Sequence, residues 1–98
     1  MKSIALPESV AEIGGGAFRR CRTLRDVVFS EGLKRIGESA FAGTDLRTVM
    51  LPSTVESIGE CAFASCGNLA TALLPQGLKA ALRSEFANCP KLKEILRY

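Results

Sequence analysis

Ile13-Gly14-Gly15-Gly16-Ala17-Phe18 returns as Ile36-Gly37-Glu38-Ser39-Ala40-Phe41 and again as Ile58-Gly59-Glu60-Cys61-Ala62-Phe63. A fourth, eroded copy, Ala81-Leu82-Arg83-Ser84-Glu85-Phe86, keeps the phenylalanine, and the four rings stand 23, 22 and 23 residues apart. A fixed period of that size predicts stacked coils, each with too little apolar surface to close on itself and so buried against its neighbours.

Aligned on the phenylalanines, the chain reads Leu-x-x-Val-x-Leu-Pro-x-x-Val-x-x-Ile-Gly-x-x-Ala-Phe-x-x-Cys. Its 98 residues make one small repeat domain, with coils of about 1–23, 24–45, 46–68 and 69–91 and a partial fifth at 92–98. The third coil is the most regular, carrying Leu46, Val49, Leu51, Pro52, Val55, Ile58, Phe63 and Cys66. The second departs twice: Ser30 replaces the proline, and one residue is missing before Leu46.

Alternation with period two assigns the faces. In Leu-x-x-Val-x-Leu the valine and the second leucine share a face, so Asp26-Val27-Val28-Phe29 and its equivalents read as short strands, two side chains in and two out. Pro7, Pro52 and Pro75 end these strands by removing a backbone donor. A second extended piece holds Val10/Ile13, Leu33/Ile36 and Val55/Ile58, closed by Gly14, Gly37 or Gly59, where positive φ is expected to turn the chain. The Ala-Phe pair then drives its ring into the layer.

The stretch Leu51-Pro52-Ser53-Thr54-Val55-Glu56-Ser57-Ile58-Gly59-Glu60-Cys61-Ala62-Phe63-Ala64-Ser65-Cys66 resembles the BspA-like, or Treponema-type, leucine-rich repeat, and the resemblance covers essentially the whole chain. It implies a leucine-rich-repeat solenoid, an arc with a parallel β-sheet of short strands on one face and a second set of short strands and turns on the other. It also implies a bacterial or protist surface protein that binds host or matrix proteins. Met1-Lys2-Ser3-Ile4-Ala5-Leu6-Pro7 runs into repeat sequence without an apolar leader. A cell-surface or secreted location is therefore expected if the chain is part of a longer protein, and a cytoplasmic one if it is a whole gene product.

Near the end the pattern weakens. Residues 77–88 lose the Ile-Gly pair, and Leu78, Ala81, Leu82 and Phe86 fall at helical spacing, so this part reads either as a repeat coil or as a capping helix. The first coil has no such cap, and its apolar end layer is expected to be exposed.

The outward strand positions are the functional lead. One row is Ser3, Asp26, Thr48, Thr71 and Glu94, and the other is Ala5, Val28, Met50, Leu73 and Leu96. A solvated face should be polar, yet the second row is apolar along its length, and contiguous exposed apolar surface marks contact sites. Asp26, Val28, Thr48, Met50, Thr71, Leu73, Glu94 and Leu96 are thus the candidate partner-binding residues, for another protein or for self-association. Three alternatives stand beside this. The aliphatic row packs sideways along the ladder, a segment absent from this sequence covers it, or the chain is a structural spacer in a longer solenoid with no ligand of its own.

Other chemistry finds little footing. There is no histidine and no Gly-x-Ser-x-Gly elbow, and the 10 acidic residues are spread without a converging pair, so neither an enzyme nor a small-molecule substrate is expected. Gly14-Gly15-Gly16 lacks the Lys-Ser/Thr of a phosphate loop. Arg19-Arg20-Cys21-Arg22-Thr23-Leu24-Arg25 is the densest charge, but no aromatic residues interleave it and the net charge is only +3, which favours a solvated loop over nucleic acid. No apolar run approaches the roughly 18 to 20 residues that insert in a membrane. Cys21, Cys66 and Cys89 share one place in their coils, with Thr44 in the second, and read as interior packing with free thiols. Of these only Cys66 and Cys89, in adjacent coils, could approach disulfide distance. Without histidine or Cys-x-x-Cys, no metal or other cofactor is expected.

Overall fold

Hydrogen bonds between successive coils make most of the secondary structure. The computed structural model describes residues 3–78 and 84–98. Its strands are β1 (Ser3–Ala5), β2 (Glu12–Ile13), β3 (Asp26–Val28), β4 (Arg35–Ile36), β5 (Thr48–Met50), β6 (Ser57–Ile58), β7 (Thr71–Leu74) and β8 (Glu94–Arg97). All pair in parallel, one period apart, in the orders β1-β3, β2-β4-β6 and β5-β7-β8. The result is a solenoid of about four turns, with a front face of β1, β3, β5, β7 and β8 and a side face of β2, β4 and β6.

A third row of axial hydrogen bonds needs no strand. The amides of Phe18, Phe41 and Phe63 donate to Ala40, Ala62 and Glu85 in the next coil at 2.7, 2.7 and 2.8 Å. Left-handed residues bracket Phe18, Phe41 and Phe63, with Gly16, Ser39 and Cys61 before them (φ 68°, 56° and 60°) and Arg20, Gly43 and Ser65 after (φ 61°, 73° and 58°), and Asn88 (φ 58°) follows Phe86. These inversions let successive amides, such as those of Gly16, Phe18 and Arg20, all point along the solenoid axis. The expected positive φ at Gly14, Gly37 and Gly59 is therefore corrected: the turn is made two residues later. A Cβ on Gly37 would lie 2.5 Å from Gly15 N, and one on Gly59 would lie 2.5 Å from Glu38 N, so these glycines admit the neighbouring coil.

Because an L-residue in the left-handed region costs roughly 1 to 2 kcal/mol, Arg20→Gly is expected to hold or raise the melting temperature. The relief is partly offset by the greater freedom of glycine in the unfolded chain. A drop of several degrees in a thermal melt would show that the Arg20 side chain itself stabilises the turn.

The core is a set of columns. Phe18, Phe41, Phe63 and Phe86 stack with centroids 5.1, 5.4 and 5.4 Å apart and planes within 9°. Leu24, Leu46 and Leu69 form a second column and are fully buried. Phe18 and Ile4, in the first coil, are only half-buried, as expected of an end layer.

The front face is not the continuous ribbon the period predicts. No ladder joins β3 to β5 among the described residues. The break falls on the irregular second coil. With one residue fewer before Leu46, the amide of Asp45 donates to Leu24 O at 3.0 Å, whereas the next junction runs from Ala70 N to Arg47 O at 2.9 Å. Phe29 also stands where Leu6, Leu51 and Leu74 stand elsewhere, its ring edge-on to Phe41 at 5.5 Å and 76°. Val27 and Phe29 are consequently half-buried, while Val49 and Leu51 are fully buried.

Of the proposed helix at 77–88, residues 79–83 lie outside the described residues. The described parts on either side, Gln76–Gly77 and Glu85–Asn88, are turns.

Candidate functional site

Register brings the outward residues into rows. Thr48, Thr71 and Glu94 lie side by side, as do Met50, Leu73 and Leu96, while Asp26 and Val28 pair with Ser3 and Ala5 across the other half of the face. Asp26, Thr48 and Glu94 are exposed, and Thr71 and Leu73 are half-buried. Val28, Met50 and Leu96 are open to solvent at 60%, 61% and 43%. The apolar row is therefore most exposed on either side of the break between β3 and β5.

Two cavities meet there. One, of about 320 Å³, is lined by Asp26, Val27, Val28, Phe29, Thr48 and Met50. The other, of about 370 Å³, is lined by Phe29, Glu31, Met50, Leu51, Pro52, Leu73 and Tyr98. Phe29 and Met50 belong to both, so the two form one groove. Tyr98 reaches back across two coils: its hydroxyl donates to Leu51 O, its amide to Leu74 O at 3.0 Å, and its carbonyl accepts from Gln76 N at 2.9 Å. Desolvation, followed by the charge of Glu31, raises the phenol above its ordinary value. Phe29, Glu31 and Tyr98 were not among the residues the sequence singled out. Phe29 was legible as a large ring in a leucine column, whereas nothing periodic announces Tyr98.

Beside the front face runs a polar ladder. Asn68 Nδ2 donates to Asp45 Oδ1 at 2.6 Å, Lys91 Nζ donates to Asn68 Oδ1 at 3.0 Å, and Arg25 and Arg47 approach Asp45 Oδ2 at 3.3 and 3.9 Å. The Asn68 amide first, then the Arg47 and Arg25 guanidinium groups, hold the Asp45 carboxyl below its ordinary value. A depressed folded-state value contributes stability above the unfolded value, lost as pH falls through the folded one. Asp45→Asn is thus expected to melt below the parent at neutral pH. The two melting curves should converge in acid, and a gap independent of pH would show that the charge is not what matters.

The cysteine column is more than packing. Cys66 Sγ donates to Phe41 O at 3.3 Å and Cys89 Sγ to Phe63 O at 3.2 Å, while Thr44, in the same place, donates to Phe41 O at 2.9 Å. The two cysteines thus reach the phenylalanine carbonyl of the preceding coil, whereas Thr44 turns to that of its own coil, so Phe41 O accepts from both Thr44 and Cys66. Pairing with Cys89, then contact with Thr44 at 3.4 Å, lowers the Cys66 thiol below its ordinary value against the opposing effect of burial, and the same pairing raises Cys89. All four thiols are free. Among the described residues, no group of three or more His, Cys, Asp or Glu could hold a metal ion, and no helix is long and apolar enough to cross a membrane.

A profile of the BspA-type leucine-rich repeat region, in six copies, matches residues 1–97. The chain belongs to this family. The BspA-type chain is similar to a leucine-rich cell surface protein of Faecalibacterium prausnitzii, with 35% identity and a TM-score of 0.93 over 99% of this chain and 26% of that one. It shares its fold with the pneumococcal vaccine antigen PcpA, at 22% identity and a TM-score of 0.74 over 99% of this chain and 30% of that one. The leucine-rich repeat protein TpLRR of T. pallidum has the same fold at 22% identity and a TM-score of 0.68, over 96% of this chain and 68% of that one. No curated protein matches the BspA-type chain. The chain thus spans about a quarter of the Faecalibacterium protein it resembles.

Proposed function

We propose that this chain is a non-catalytic protein-binding module of a bacterial surface protein, and that the front face of its sheet is the contact surface. The observation that carries the proposal is the exposure of Val28 and Met50, 60% and 61%, beside an apolar groove on a face that none of the described residues covers. Large aliphatic side chains held in water on a rigid sheet gain by association, at about 25 cal/mol for each Å² of apolar surface removed. Thr48, Thr71, Asp26 and Glu94 supply a polar border, the arrangement found around apolar contact centres. The cell-surface description of the Faecalibacterium relative supports the location.

The paired variant Val28→Lys/Met50→Lys tests the proposal, since both residues are exposed and the fold should tolerate the change. Sedimentation across a dilution series reports self-association, and capture from host or matrix extracts reports a foreign partner. The parent is expected to bind and the variant to lose that binding with an unchanged melting temperature. A second reading, that the chain is a spacer within a longer solenoid, is favoured by the small share of the Faecalibacterium protein it represents. A parent that stays monomeric and captures nothing would establish it.

A further inference from the structure

Resting on the front face as a binding surface, the geometry points to a specific kind of occupant. We propose that the groove at the break between β3 and β5 receives an extended segment of a partner protein, with an aliphatic side chain at its centre flanked by lysine or arginine. Three observations lead there.

First, the break leaves strand edges without a ladder. Val28 O accepts from Leu6 N at 3.0 Å and so faces the first coil. In a parallel register neighbouring residues face opposite ways, so Val27 and Phe29 turn their backbone groups toward β5, where no ladder meets them. β3 and β5 still approach within 8 Å at their Cα atoms, closer than the roughly 9.6 Å that a strand inserted between them would need. An extended peptide therefore fits over the gap, with its side chains in the groove, rather than within the sheet. Second, the floor is apolar, made by Val28, Phe29, Met50 and the ring of Tyr98, with cavities of about 320 and 370 Å³. Those volumes lie at the lower end of the roughly 300 to 1,000 Å³ range of ligand clefts, which suits side chains rather than a folded surface.

Third, the charge on the lining is one-sided. Asp26 borders one cavity and Glu31 the other, and neither cavity is lined by a base. The two arginines closest to the groove in sequence, Arg25 and Arg47, are turned onto Asp45 at 3.3 and 3.9 Å. The two carboxylates are five positions apart in the chain, at most about 17 Å of extended chain at about 3.3 Å per residue. An extended partner lying along β3 therefore meets acid at both ends and apolar surface between. The same charges disfavour a polyanion such as RNA.

The test is selection of a random nine-residue peptide library, displayed on phage, against the parent chain and against Asp26→Lys/Glu31→Lys. Both substituted residues are exposed, and an unchanged melting temperature checks the fold. The parent should enrich peptides with an aliphatic centre and basic flanks, and the charge-reversed variant should enrich acidic flanks. For a selected basic peptide, fluorescence anisotropy should show at least tenfold weaker binding to the charge-reversed variant and to Met50→Lys.

Enrichment of acidic or uncharged flanks by the parent, with binding lost in Met50→Lys, would overturn the assigned partner while leaving the face a binding surface. No enrichment, together with a Met50→Lys variant that behaves as the parent in every capture, would overturn both. Self-association of the parent that Met50→Lys abolishes would assign the groove to a second copy and end the peptide proposal.

Discussion

Phe41→Ala is expected to lower stability by about 3 to 5 kcal/mol, a large part of the roughly 5 to 15 kcal/mol that holds a chain of this size together. Phe41 is fully buried, and three rings touch it: Phe18 at 5.1 Å, Phe63 at 5.4 Å and Phe29 edge-on at 5.5 Å. Truncation removes a contact from each and leaves a void in the middle of the column. The void is hard to close, because the backbone on both sides is fixed along the axis by Phe18 N to Ala40 O and Phe41 N to Ala62 O, each 2.7 Å. Phe18→Ala is the internal comparison. Phe18 is half-buried and stacks on one ring, so its loss should cost about half as much or less. At about 4 to 8 °C per kcal/mol for a domain of this length, the Phe41 variant should melt more than 12 °C below the parent. A loss under about 1 kcal/mol would mean that the column is not what holds the coils together.

The spacing of the phenylalanines made this column legible, and with it the fold. Identical side chains one period apart stack only if the backbone between them closes a coil, and the parallel pairing of β1 with β3 or β5 with β7 follows from that. The break between β3 and β5 was written in the sequence only as a missing residue before Leu46 and an unusual Phe29. Neither says by itself that a ladder is lost, because that depends on whether backbone donors still meet acceptors across the junction. Exposure of Val28 and Met50 was readable from alternation, whereas the partial burial of Leu73 was not, since it lies in the groove that Tyr98 helps line from a coil away. The cysteine column was recognised as interior. Its hydrogen bonds to the phenylalanine carbonyls were missed, although Thr44 in the same place was the hint: thiol and hydroxyl share a donor more than a shape.

Glycine was misread for a reason that yields a second large effect. A repeated glycine signals either positive φ or the close approach of another backbone, and the letter does not say which. At the Ile-Gly position the close approach decides. An alanine Cβ at residue 37 would sit 2.5 Å from Gly15 N and 2.8 Å from Gly14 C, and at residue 59 it would sit 2.5 Å from Glu38 N and 2.7 Å from Gly37 C. These are backbone atoms held by the side-face ladder, with Gly37 N to Ile13 O at 2.8 Å and Gly59 N to Ile36 O at 2.7 Å, so the coils must part to admit a methyl group. Overpacking of this kind costs about 1 to 3 kcal/mol and occasionally more. With rigid atoms on the receiving side, Gly37→Ala and Gly59→Ala are expected to fall at or above the top of that range. Gly14 occupies the same place in the first coil, where nothing lies within 4 Å and φ is not positive. Gly14→Ala should therefore be neutral, or stabilising by about 0.4 to 1 kcal/mol through reduced freedom of the unfolded chain. Urea melts of the three variants separate the two causes. If all three lose stability alike, the glycine serves its own backbone conformation, and if only the inner two do, it serves the coil that lies against it.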